Sequence, residues 1–223
     1  MPRHPIRKRV RGEIPTTVYH VGSRPVPGGR VSRGFSQEGG ELSVSEHPDE
    51  WSAIARLGGD VWQLRKFGAR FFRVPGNRSP RATAWASQRG YLAPATVWRL
   101  WCGRDESGEE TYFDFFSREE AVAESADYDP DDADGGEKHP PGEIEEVAGY
   151  RFGPLGEAYW RQNFDEPIDH TWAESFAPIF YARAHGYDGV WYNERYDPAN
   201  LSCPRGLILQ ERLSDWICER CSP

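Results

Sequence analysis

"HGYDGVWYNERYDPANLSCPRGLIL", residues 185–209, decides how this chain is to be read. Its aromatic and β-branched burst, "DGVWY" (188–192), has the composition of a buried strand, and "GLIL" (206–209) has it again. Between them runs a polar loop with two carboxylates, Glu194 and Asp197, bounded by Pro198 and Pro204. Charged groups between two buried strands belong to a loop held by a rigid scaffold, and function concentrates on such loops. Just upstream, "TWAESFAPIFYARAHG" (171–186) has a helical apolar pattern, with Pro178 placed to kink or divide it. A helix feeding two short apolar strands points to the α+β class.

The same mixture extends toward the N-terminus. "GPLGEAYWRQNF" (153–164) reads as a helix, and "SREEAVAES" (117–125) opens with Ser117 and Glu120 in capping-box spacing. Strand composition recurs in "VWQLRK" (61–66), "ARFFRV" (69–74), "TVWRLW" (96–101) and "ETYFDFF" (110–116). Phe67 and Gly68 alone separate the first two, which predicts one bent ribbon or a hairpin. "TTVYHV" (16–21) is a strand that stops at Gly22-Ser23. "ELSVS" (41–45) alternates polar and apolar residues and runs into a helix. Pro48 suits its first position, Asp49 and Glu50 its positive dipole end, and Gly58-Gly59 its termination. Trp51, Ile54 and Ala55 share one face of that helix. The expected organisation is a basic arm (1–14), a single domain (15–217) with an acidic insert (124–146), and a C-terminal tail (218–223).

A chain of 223 residues can bury a sizeable core. Nine Trp, ten Tyr and eleven Phe against one Met imply a core of large, rigid side chains. No stretch approaches the roughly 20 apolar residues of a membrane span, and the basic "MPRHPIRKRVRGE" has no apolar segment behind it. The expectation is a soluble, cytoplasmic protein with no membrane partner. The net charge of −8 hides an asymmetry: residues 52–104 hold ten Lys/Arg and one acid, residues 105–146 seventeen acids and two bases. The first stretch could serve phosphates or nucleic acid, or be neutralised in cis by the second. "ESADYDPDDADGGEKHPPGEIEE" (124–146) has the composition of a solvated insert. Of Cys102, Cys203, Cys218 and Cys221, the last two have metal-ligand spacing. Zinc is therefore open, though no metal is the favoured reading. P-loop, zincin and hydrolase-elbow motifs are absent.

His20 closes an apolar strand, where an imidazole could hydrogen-bond a ligand hydroxyl while Gly22 lets backbone approach a ring; taken by itself, the residue reads first as a structural histidine at a strand end. Three pieces together resemble the ADP-ribosyltransferase fold, in that fold's order. Tyr19-His20-Val21-Gly22-Ser23 is similar to its first motif, with one residue inserted. "EGGELSVSEHPDEWSAIA" (38–55) is similar to its second, placing Ser43 at a Tyr/Ser position with Ser45 just beyond. "YARAHGYDGVWY" (181–192) is similar to the helix and strand that precede its target-facing loop.

The resemblance implies a mixed, mainly antiparallel split β-sheet core with flanking helices. It implies NAD as substrate, cleavage of the nicotinamide–ribose bond, and transfer of ADP-ribose to a macromolecular acceptor, protein or nucleic acid. His20 would bind the adenosine-side ribose, Gly22, Ser23, Arg24, Ser43 and Ser45 would line the cofactor site, and Arg24 with Arg30 would meet the pyrophosphate. Trp51, read first as core, could stack on an adenine or nicotinamide. The family's acid opens the last strand, where this chain has Arg205. An acid is needed because nicotinamide departure leaves an oxocarbenium-like ribose that a carboxylate stabilises. Glu194 is the first candidate, beside His20 and Ser43 as catalytic residues, and Asp197 the second. Two rivals stand: a catalytically silent NAD or ADP-ribose binding module, and a nucleic-acid-binding protein using the basic 52–104 region.

Overall fold

A computed structural model of the chain describes residues 16–27, 40–75, 78–104, 110–127, 142–192 and 203–221. The elements are β1 (Thr16–Gly22), β2 (Leu42–Ser45), α1 (Pro48–Ile54), β3 (Asp60–Lys66), β4 (Phe71–Val74), α2 (Pro80–Gln88), β5 (Leu92–Arg104), β6 (Glu110–Phe115), α3 (Arg118–Asp127), β7 (Ile144–Phe152), α4 (Pro154–Asn163), α5 (Ala173–Ala184), β8 (Gly189–Tyr192), β9 (Arg205–Ile208) and β10 (Ile217–Arg220). They fall into two compact units, Met1–Ala82 with Pro178–Pro223, and Thr83–Ala177. The class is α+β, with two mostly antiparallel sheets.

In the first unit seven strands pair in the order β10-β3-β1-β2-β9-β8-β4. All pairs are antiparallel except β4 with β8. Successive residues of a strand point to opposite faces, so Val18, Leu42, Val44, Leu64, Trp191 and Ile208 converge on one side. Leu213 and Trp216 pack onto them to close a core. Among the described residues, no helix is long and apolar enough to cross a membrane.

The hairpin expected from residues 61–74 does not form. β3 pairs with β1 and β10, whereas β4 pairs with β8 at the other end of the sheet. The reason is long-range. Asp188 Oδ2 accepts from the Arg70 backbone N–H at 2.8 Å, and the Asp188 N–H donates to the Arg70 carbonyl at 2.7 Å. These bonds carry the chain after Gly68 (φ +64°) alongside β8. Asp188 Oδ1 also accepts from Lys66 Nζ at 2.6 Å, so one buried carboxylate ties the end of β3 to the start of β4. α1 also ends earlier than the Gly58-Gly59 expectation. Arg56 turns left-handed (φ +51°), and the Leu57 N–H returns to the Ser52 carbonyl at 2.9 Å.

The second unit contains the three-stranded sheet β6-β5-β7. Ser117 caps α3 as its spacing implied, accepting from the Glu120 N–H at 3.1 Å. Phe152, Trp160, Phe164 and Phe176 form its aromatic core, with Phe152 edge-on to Phe176 at 5.4 Å. α2 and β7 had no counterpart in the sequence reading, and the segment expected as a tail contributes the edge strand β10. The acidic insert has its first residues in α3 and its last three in β7; residues 128–141 and the basic arm lie outside the described residues.

A second buried carboxylate, Glu41, precedes β2. It accepts from Arg183 Nη2 of α5 and, at 2.7 Å, from the Gln210 N–H; Arg183 Nε also meets Glu211 Oε1 at 2.7 Å. Burial pushes the Glu211 carboxyl up, but the hydrogen bonds and charge of Arg183 outweigh it and hold its pKa below the ordinary 4.5. A carboxylate with a depressed folded pKa contributes stability that is complete above its unfolded pKa and lost as pH falls through the folded value. Denaturation midpoints taken from about pH 6 to 3 should therefore fall more steeply in the wild type than in Glu211→Gln.

Candidate functional site

His20 lies near the end of β1, half-buried, and its Nδ1–H donates to the Ser43 carbonyl at 2.9 Å. Burial pushes its pKa below 6.5, against hydrogen bonding to the Ser43 and Ser23 backbone, which acts the other way. The bond therefore selects the neutral tautomer with its proton on Nδ1 and its lone pair on Nε2. Gly22 follows at φ +141°, and a Cβ there would stand 3.1 Å from that Nε2. A side chain would cover the imidazole edge, so glycine keeps it open as well as permitting the backbone angle. Trp62 on β3 donates its indole N–H to the Gly22 carbonyl at 3.1 Å and fixes the turn. Ser23 and Arg24 are exposed, and the Arg24 guanidinium lies 6.0 Å from the Trp62 ring centroid.

The structure brings His20 and Ser43 together through the Ser43 backbone. Tyr19 stands opposite Ser45 across β1 and β2, and directly opposed residues share a face. Ser43 and Ser45 thus project to one side with Tyr19, while His20 projects to the other with Val18, Val44 and Trp62. Ser45 is fully buried. Its hydroxyl donates to the Pro204 carbonyl at 2.7 Å, accepts from the His47 N–H at 3.0 Å and lies 3.5 Å from Cys203 Sγ. It braces β2 against the chain entering β9. Ser43 differs: its Oγ is buried with no hydrogen-bond partner, and such a group costs about 1–3 kcal/mol if nothing satisfies it.

On the Ser43 face, Ser45 stands opposite Arg205, and Arg205 opposite Tyr192. Arg205 is only 7% exposed. Its guanidinium carbon lies 5.3 Å from the Trp51 ring centroid and 5.3 Å from that of Tyr192, within cation–π range of both. The Trp51 indole N–H is buried and also has no partner. Sequence reading noted Arg205 as the residue standing where an acid was expected, and missed its burial between two rings. The available signal was a lone charge opening an apolar run.

Glu194, Asp197 and Arg30 lie outside the described residues. Among the described residues no three His, Cys, Asp or Glu side chains gather as metal ligands. In the basic stretch, Arg65, Lys66 and Arg99 are engaged by Glu219, by Asp188 with Asp215, and by Asp114. This reduces the positive charge the stretch can offer a polyanion. No family model, no curated protein and no solved structure matches the chain.

Proposed function

We propose that the seven-stranded unit is an ADP-ribosyltransferase-like NAD site, cleaving the nicotinamide–ribose bond and passing ADP-ribose to a macromolecular acceptor. The observation that carries this reading is the hydrogen bond from His20 Nδ1 to the Ser43 carbonyl. It joins the two strand ends that the motif resemblance singles out and leaves Nε2 able to accept from a ribose hydroxyl beside Gly22. The acid that stabilises the ribose cation comes from the 193–202 loop, Glu194 first, because the residue opening β9 is Arg205. The test is nicotinamide release from NAD by the purified chain with mixed protein and nucleic-acid acceptors. Release should fall about tenfold or more in His20→Ala, the loss expected for one ligand hydrogen bond. Equal release by wild type and His20→Ala would overturn the assignment.

A second reading is favoured by Arg205 itself. An arginine where a carboxylate would stabilise positive charge suits a module that binds an NAD or ADP-ribose-type ligand without cleaving it. That protein would show a ligand-dependent rise in melting temperature and release no nicotinamide.

A further inference from the structure

In the second unit a backbone donor of an edge strand is held by a side chain that titrates. β7 is an outer strand of the sheet β6-β5-β7. At its end the Gly153 N–H turns inward and donates to the Tyr91 carbonyl at 2.8 Å. Successive N–H groups of an extended strand point to opposite sides. The Phe152 N–H therefore turns outward, where that sheet has no further strand. It donates there to His170 Nδ1 at 3.2 Å, in the single turn His170–Trp172 that leads into α5. A ring nitrogen that accepts cannot carry a proton, so the contact requires a neutral imidazole with its hydrogen on Nε2. Phe116 at 5.7 Å and Phe152 at 6.0 Å, centroid to centroid, flank the ring. Asp169 fixes the turn, accepting from the Thr171 N–H at 3.0 Å and from its hydroxyl at 2.6 Å. Phe152 is 1% exposed, which leaves little room for water to replace a lost acceptor.

We propose that His170 is a pH-sensitive clasp: when neutral it ties the end of β7 to the turn that opens α5, and a proton on Nδ1 releases the tie by setting two donors against each other. The charged groups acting on the ring are Glu157 from α4, Arg151 from β7 and Asp169 from its own turn, while the segment joining β6 to α3 contributes the uncharged Phe116. Burial, the largest influence, pushes the His170 pKa below 6.5; Glu157 and Asp169 act upward and Arg151 downward. The folded chain thus binds this proton more weakly than the unfolded one. The stabilising contribution is complete above about pH 6.5 and declines as pH falls from there to the lower folded value, through which the contact itself opens. All of these groups belong to the second unit, and none takes part in the NAD assignment, which lies in the first.

The test is amide hydrogen exchange of the nitrogen-15-labelled full chain from about pH 8 to about pH 5, each rate divided by the intrinsic rate at that pH. The His170 ring resonance, assigned through its own backbone amide, gives the protonation midpoint. Protection of the Phe152 amide should fall about tenfold through that midpoint, as for loss of one hydrogen bond. Gly153 is the built-in control, because its carbonyl acceptor does not titrate. In His170→Asn the side-chain oxygen takes the place of Nδ1 and accepts at every pH, so the step at Phe152 should vanish while protection stays high. Phe152 protection that holds steady through the midpoint in the wild type would overturn the clasp, and that curve decides alone if the variant does not fold. A step shared equally by Gly153, or one of equal size in His170→Asn, overturns it as well.

Discussion

Asp188→Ala is expected to destabilise the seven-stranded unit by about 3–5 kcal/mol, the usual consequence of removing one partner of a buried ion pair. Asp188 is 6% exposed, and its carboxylate holds Lys66 Nζ at 2.6 Å and the Arg70 N–H at 2.8 Å. Alanine leaves the amide without its acceptor and leaves the ammonium only Asp215, at 3.1 Å on the exposed side. The loss falls where β3 hands over to β4, so the unpinned segment is the one that places β4 against β8. Asp188→Asn keeps the shape and the acceptor for the amide while removing the charge, and should lose a smaller amount. Chemical denaturation at constant m-value measures both; a loss below about 1 kcal/mol for alanine would show that the pair is no more than a surface ion pair in effect.

Gly189→Ala is expected to be worse. A Cβ at Gly189 would stand 1.8 Å from the Leu207 carbonyl oxygen and 2.9 Å from the Phe71 ring. The first obstacle is backbone of the neighbouring strand β9, so no rotamer change can relieve it. β8 and β9 must separate, although each lies inside the sheet with a partner on both sides. A cost of more than about 4 kcal/mol, or failure to fold, is the outcome for such an overpacked position. Gly58→Ala is the internal control, since a Cβ there meets nothing within 4 Å. Circular dichroism melts of the two proteins side by side decide it: comparable melting temperatures would mean that the sheet absorbs the methyl group.

These two positions bear on the motif that most resembles the ADP-ribosyltransferase fold. In "GYDGV" (186–190), Gly186 ends α5 at φ +69°, Asp188 pins β3 and β4, and Gly189 lets β8 approach β9. Folding alone requires each of these residues. The motif therefore bears on the path of the chain, and the proposed chemistry is assigned to residues outside it, His20 first.

Much of the local structure was legible in the sequence because its causes are local. Alternating and β-branched runs marked β1, β2, β8 and β9. Pro48 opened α1 and Ser117 capped α3, each through contacts within a few residues. α2 was not legible: "PRATAWASQ" lies in the basic stretch between strand signals, and the residues it buries most deeply, Ala82 and Ala86, are too small to mark an apolar face. β10 was missed because a four-residue edge strand, half of it charged (Glu219 and Arg220), has little hydrophobic pattern to show.

Tertiary structure decided what no local pattern encodes. Phe67 and Gly68 permit a hairpin, yet Asp188, 118 residues from Arg70 in sequence, recruits β4 to β8. The sequence by itself determined that one strand ends near His20 and another begins near Ser43; only the pairing of Tyr19 with Ser45 decided that the two side chains leave opposite faces of the sheet. A shift of one residue in that register would have reversed the arrangement, because strand side chains alternate with period two. Arg205 is a charged residue beside an apolar run until β2, β8 and α1 close around it and bring its guanidinium within cation–π range of Trp51 and Tyr192. Capping, turn and strand preferences act over a few bonds and can be read along the chain. Register, burial and the sharing of a face arise when distant segments meet, and those decided where this protein's chemistry can sit.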